Sequence, residues 1–398
     1  MDEPLGTSGR PLALARRTGM ILATATVAVG ALAACGAGGS GGSGTGPSDR
    51  ASATGRPGGA TANSSIQLTI VEPDDGVAPV IDLINGAQKS IDVGTYEIDP
   101  NYTEFTDALL AAQSRGVAVR VMVSRTEYPV TGPQENAQAV AALQAKGLDA
   151  QLSNPQFSYY HAKVLVIDDG QPGGKALVSD FNFAPGYFGP ETSNPDEGGT
   201  RGMAVLVTDP ADVDEIGAYF DADWPPYAQW PASTQADLIW SPGADTFTNP
   251  GNSEQAMLSL INGAEDSLDI YEQQIPADSV LVQPILDRAK AGVKVRMIGN
   301  QQGFDPKVAQ LLEPAGVQIV FAPKDPFPDG KPMYIHTKTI VADAGKDDQV
   351  AYVGSINPFL AESLNTEREL GAFVTDPDSV TRIRAIFDRD FAEGTAKP

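Results

Sequence analysis

Apolar residues along this chain follow two rhythms. Runs rich in Val, Ile and Leu at 66–71, 91–98, 117–123, 163–167, 175–178 and 203–207 have the length of β-strands. Between them, 79–88, 103–114, 135–145 and 212–220 place apolar side chains at the spacing of a helix that buries one face. The same order returns further on, with strands predicted at 293–298, 339–341, 350–353 and 371–374. Alternation of this kind predicts mixed α/β layers.

The recurrence extends to wording. Leu83-Ile84-Asn85-Gly86-Ala87 with Ser90-Ile91-Asp92 returns, 177 residues later, as Leu260-Ile261-Asn262-Gly263-Ala264 with Ser267-Leu268-Asp269. Gly116-Val117 and Arg120 return as Gly292-Val293 and Arg296, and Thr208-Asp209-Pro210 and Phe220-Asp221 as Thr375-Asp376-Pro377 and Phe387-Asp388. Such ordered echoes mark a duplication. They predict two similar mixed-sheet α/β halves, 66–224 and 236–398, joined by a connector at 225–235. Its aromatic residues Tyr227 and Trp230, with the preceding Trp224, are expected to pack against the body.

The first 65 residues read differently. Arg10, Arg16 and Arg17 precede a 15-residue apolar run, Met20 to Ala34, too short to span a bilayer as a helix and suited to an export signal over 1–34. It ends in Leu32-Ala33-Ala34-Cys35-Gly36, which resembles a bacterial lipobox, so Cys35 is expected to be acylated and to anchor the exported protein at the outer face of the cell membrane. Residues 35–65, dominated by Gly, Ser, Thr and Ala, cannot bury enough surface to fold and read as a flexible spacer.

Charge narrows the partners. Fifty-one acidic residues against 27 basic ones give a net charge of −24, and the excess lies beyond the signal. That field weighs against extended nucleic acid as a partner. A lone cysteine rules out an intrachain disulfide, and with two histidines in all it argues against a zinc site built on Cys and His.

Those two histidines fall at matching places. His161 is followed by Lys163 and Asp168, and His336 by Lys338 and Asp343, at identical spacing. On a regular strand His161 would share a face with Lys163, and His336 with Lys338, while Asp168 and Asp343 would point the other way and serve structure. Each motif is closed by a polar group: Ser179-Asp180-Phe181-Asn182 in the first half and Gly354-Ser355-Ile356-Asn357 in the second.

These residues resemble the phospholipase D superfamily, whose signature is a paired HxKxxxxD motif followed by GSxN. The second copy matches throughout. In the first, Ser179-Asp180 stands where the family has Gly-Ser, and Asp180 is expected either to weaken anion binding or to hold His161. A glutamate that follows GSxN and orients a histidine is matched by Glu369, whereas the first half has Arg201-Gly202 there.

The resemblance implies two halves packed around a shared active site and a metal-independent phosphodiesterase with no cofactor, cleaving or transferring phosphatidyl groups through a phosphohistidine. A phosphodiester repels nucleophiles and has a poor alkoxide leaving group, so one imidazole attacks phosphorus while the other protonates the departing oxygen. Lys163, Lys338, Asn182 and Asn357 would hold the nonbridging oxygens. Glu369 is expected beside His336, favouring its protonated form as the acid and leaving His161 as the nucleophile. A phospholipid or another phosphodiester is the expected substrate and a monomer the expected state. Alternatives are an exported nuclease of the same family and a degenerate envelope lipoprotein that only binds phosphate-containing ligands.

Overall fold

The computed structural model describes residues 63–127, 135–189, 199–323 and 332–396. The expected signal, Cys35 and nearly all of the spacer lie outside these residues. Among the described residues no helix is long and apolar enough to cross a membrane.

The first half contributes β1 (Ile66–Glu72), α1 (Ala78–Gly86), β2 (Ser90–Thr95), α2 (Thr103–Ser114), β3 (Ala118–Val123), α3 (Glu135–Ala145), β4 (Asp149–Leu152), β5 (Lys163–Ile167), β6 (Lys175–Ser179), β7 (Gly199–Val207) and α4 (Pro210–Asp223). The second contributes β8 (Leu238–Ser241), α5 (Ser253–Gly263), β9 (Ser267–Glu272), α6 (Val282–Lys290), β10 (Lys294–Gly299), α7 (Pro306–Leu312), β11 (Gln318–Phe321), β12 (Met333–Ile335), β13 (Ile340–Ala342), β14 (Val350–Gly354), α8 (Ala361–Asn365), β15 (Glu369–Val374) and α9 (Pro377–Glu393).

Their sheets run β1-β7-β6-β5-β2-β3-β4 and β8-β15-β14-β13-β9-β10-β11. The two orders are the same once β12 is set aside. That strand leaves its own half and pairs in parallel with the start of β7, Met333 to Ile335 against Gly199 to Arg201.

The repeated phrases have structural work. Asp209 and Asp376 are N-caps that accept main-chain N–H bonds at the starts of α4 and α9, each followed by a proline at the first helical position. Gly116 and Gly292 adopt positive φ of 90° and 99° just past α2 and α6, the left-handed stop that glycine tolerates. Arg120 joins Asp92 to Asp221, and Arg296 joins Asp269 to Asp388, tying a strand pair to the closing helix of each half.

Among the described residues, three apolar cores result. One lies under the helices of the first half and another under those of the second. The third is built from both halves: Val164, Val205 and Phe220 meet Val341, Leu370 and Ile383 between the sheets. Trp230 of the connector is 4% exposed and packs on it, while Tyr227 stays 37% exposed with its hydroxyl accepting from Arg125. The apolar pattern missed β4, β8, β11 and β12, all of four residues or fewer, and the polar start of β7, whose Gly-Thr-Arg pairs across the halves.

Candidate active site

Each histidine hangs from the opposite half. The backbone N–H groups of His161 and Ala162 both donate to the carbonyl of Arg368, and Tyr160 bridges to that same residue. In mirror fashion, the N–H groups of His336 and Thr337 donate to the carbonyl of Arg201. These arginines occupy matching positions at the site-facing ends of β7 and β15, and both are buried. Arg201 binds Asp390 at 2.7 Å and the carbonyl of Glu72; Arg368 binds Asp223 at 2.7 Å and the carbonyl of Ser241. Neither motif therefore sits on one regular strand. Each histidine precedes a strand, and its lysine curls back: Lys163 Nζ donates to the His161 carbonyl at 2.6 Å, and Lys338 Nζ lies 3.2 Å from His336 Nδ1.

The two motifs form one electrostatic unit. Burial, then the Lys163 charge and further that of Lys338, hold the His161 imidazole well below its usual range. Burial, Lys338 and Lys163 do the same to His336, with His161 adding to the effect. Lys163, fully buried, is brought down to about 7 by burial, and Lys338 is also lowered by burial. Crowded, buried groups of this kind hold their protons more firmly when an anion lies among them.

Glu369 does not lie beside His336. Its Oε2 is 2.8 Å from Nδ1 of His161, so the carboxylate of the second half orients the imidazole of the first. The cause is the crossing of the halves, which brings the backbone before Lys163 against the start of β15. Glu367 lies behind it, its carboxyl raised to about 8 by burial and by Glu369, so that it holds a proton at neutral pH. Among the described residues, His161, Glu367 and Glu369 form the one group whose potential metal-ligating atoms lie within 4.8 Å of one another. Hydrogen bonding already engages His161 with Glu369 there.

Two stretches, residues 80–224 and 257–391, match the family described as cardiolipin synthase, PLD-like domain. The chain belongs to the phospholipase D superfamily. No curated protein matches it. Among solved structures, phosphatidylserine synthase of Haemophilus influenzae aligns with a TM-score of 0.58 at 12% identity, over 84% of this chain and 88% of that one. Polyphosphate kinase of Porphyromonas gingivalis aligns at 0.57 and 18% identity, over 81% of this chain but 46% of its own. The chain thus spans about half the length of that kinase. At these identities the likeness is one of fold.

Against the superfamily pattern, Asp168 and Asp343 face away from the cleft. Both take positive φ, 53° and 52°, and accept three successive main-chain N–H bonds, from Gln88 to Ser90 and from Glu265 to Ser267. Asn182 donates its amide protons to Glu97 and to the hydroxyl of Tyr187, both at 2.9 Å, and so fixes Tyr187 edge-on to His336 rather than presenting a free donor. Asn357 is 6% exposed, with its side-chain oxygen unpaired. Ser355 Oγ accepts from the Leu370 N–H. Asp180 does not reach for His161; its carboxylate accepts from the N–H of Met203 and lies on the His336 and Lys338 side. Sequence reasoning missed Tyr96, edge-on to His161, and Tyr187, Glu367, Arg201 and Arg368 as well. The two arginines were findable, since each stands at the same place in the duplication.

Proposed function

We propose that this superfamily member is a phosphodiesterase of phospholipase D type, hydrolysing or transferring phosphatidyl groups. The observation that supports it most is the meeting of two His–Lys pairs, each suspended from the other half's arginine, in one proton-shedding site. The site opens at His161, whose side chain is 15% exposed.

His161 is the nucleophile. A carboxylate on Nδ1 fixes the proton there and leaves the Nε2 lone pair free, the arrangement that prepares a histidine to act through its far nitrogen. Nε2 attacks phosphorus; the P–N bond forms as the P–O bond to the departing alcohol breaks, and His336 gives its proton to that oxygen. Water then attacks the phosphohistidine, His336 takes its proton, and the P–N bond breaks. Glu369 stabilises the cationic phosphoimidazole between the steps. His336 has no carboxylate hydrogen-bonded to its ring among the described residues, and burial and the two lysines keep that ring neutral in the free protein, so it takes up its proton as the anionic diester enters and then gives it to the leaving alcohol. Lys163, Lys338 and Asn357 stabilise the nonbridging oxygens.

Export and acylation at Cys35 are part of this reading, supported by the lipobox-like Leu-Ala-Ala-Cys-Gly. They would place the site at a bilayer. A metal-free panel of phospholipids, cardiolipin and oligonucleotides tests the substrate. Head-group release by the wild type, abolished in His161→Asn and His336→Asn, supports the proposal. Cleavage of oligonucleotides alone would make it a nuclease, and inactivity on every diester would sink the enzymatic reading.

A further inference from the structure

We propose that Asp180 replaces the glutamate that the first half lacks, so that each His–Lys pair keeps one buried carboxylate although the carboxylates stand at non-matching positions. The inference rests on the phosphodiesterase reading for its purpose, but its geometry stands apart.

Strand register sets the comparison. Ser179 pairs with Ala204 as Gly354 pairs with Gly371, so Asp180 matches Ser355 and Gly202 matches Glu369. The second half therefore has serine then glutamate, the first half aspartate then glycine. In both, the residue after the β6 or β14 strand fills the same main-chain slot: the Leu370 N–H donates to Ser355 Oγ at 3.2 Å, and the Met203 N–H donates to the Asp180 carboxylate at 3.0 Å. Space bears on the exchange as well: a Cβ on Gly202 would stand 2.7 Å from Cδ1 of Phe181 and 3.0 Å from Asp180 Oδ1, so a side chain there displaces the ring and presses on the aspartate.

Charge follows the same logic. Glu369 is the carboxylate felt most by Lys163, and Asp180 the one felt most by Lys338, with Glu272, Glu369 and Glu367 next. Asp180 is itself buried and faces Lys338, Lys163 and the Thr337 hydroxyl, and burial raises it to about 6. Glu369 touches an imidazole, whereas Asp180 serves the lysine. It is a positioning residue: it favours the charged form of Lys338 while leaving the ring of His336 without a carboxylate contact.

Sulfate binding by calorimetry tests this independently of turnover, since sulfate stays a dianion across the range. At pH 8, Asp180→Ser and the size-matched Asp180→Asn should each lose about tenfold in sulfate affinity, because Lys338 loses the carboxylate that most favours its charged form. At pH 5, where Asp180 is itself protonated, all three proteins should bind alike. Equal affinities at pH 8, or a loss that persists at pH 5, would overturn the proposal. An enzyme inactive on every diester that still shows this pattern would refute the phosphodiesterase reading alone.

Discussion

Nδ1 of His161 lies 2.8 Å from Oε2 of Glu369, a residue 208 positions further on and in the other half of the duplication. The carboxylate is fully buried, is hydrogen-bonded by Ser363 and is backed by the protonated Glu367. Glu369→Gln should therefore lower kcat by about 10²–10⁴-fold, because an amide neither fixes the tautomer nor stabilises the imidazolium. KM should change little. Steady-state kinetics on the active diester check it; a loss confined to KM would contradict the assignment.

The arginines that suspend the histidines are the next weak points. Asp390 receives Arg201 and the Tyr271 hydroxyl, and Asp223 receives Arg368, whose guanidinium also lies 4.3 Å from the centre of the Trp230 ring and 4.4 Å from that of Phe157. Removing Asp223 strands the buried Arg368 cation, which costs about 3–5 kcal/mol, whereas Arg201 without Asp390 still has Asp74 at 3.5 Å. Asp223→Ala should destabilise by that order in urea unfolding, and Asp390→Ala by less. Loss of the pair in Arg201→Met with Asp390→Leu should cost less than either partner alone.

The duplication was legible because its phrases are local devices: an aspartate cap with proline behind it, a glycine at a helix end, an arginine bridging two aspartates. Most strands and helices followed from apolar period alone, and Thr103–Ser114, Glu135–Ala145 and Lys163–Ile167 have the bounds that period implies. The crossing was not legible. Met333–Ile335 is too short to announce a partner, and nothing near Tyr160 says that it will lie against Arg368. Without the crossing, Glu369 was read against the histidine of its own half. The sequence set Glu369 against Arg201-Gly202, and the registers of β6 with β7 and of β14 with β15 then singled out Gly202.

Glu72 gives a stability test away from the catalytic groups. It ends β1 opposite Gly202, fully buried, and burial raises it from 4.5 to about 8. The native state thus keeps a proton that the unfolded chain gives up above 4.5. Its contribution is full below that value and is lost as pH rises through about 8. Glu72→Gln should match the wild type near pH 5 and exceed it at pH 9 by roughly 2–4 kcal/mol. Denaturant titrations at the two pH values decide it, and an equal difference at both would refute the linkage.

Proton uptake on anion binding tests the site as a whole. Lys163 is lowered to about 7 chiefly by burial, against an opposing pull from Glu369, so at pH 8.5 most of it is neutral in the free protein. A phosphodiester or sulfate seated beside it favours the charged form, and the proton must come from solvent. Calorimetric binding enthalpies measured at pH 8.5 in buffers of different ionisation enthalpy should therefore give a slope that corresponds to net uptake. Apparent affinity should fall by up to about tenfold per pH unit above 7, as the free protein must first be protonated. Lys163→Met should abolish most of the uptake while Lys338 still binds the anion more weakly. A wild-type enthalpy independent of buffer at pH 8.5 would mean that Lys163 is already charged, and the picture of a proton-shedding site awaiting an anion would fail.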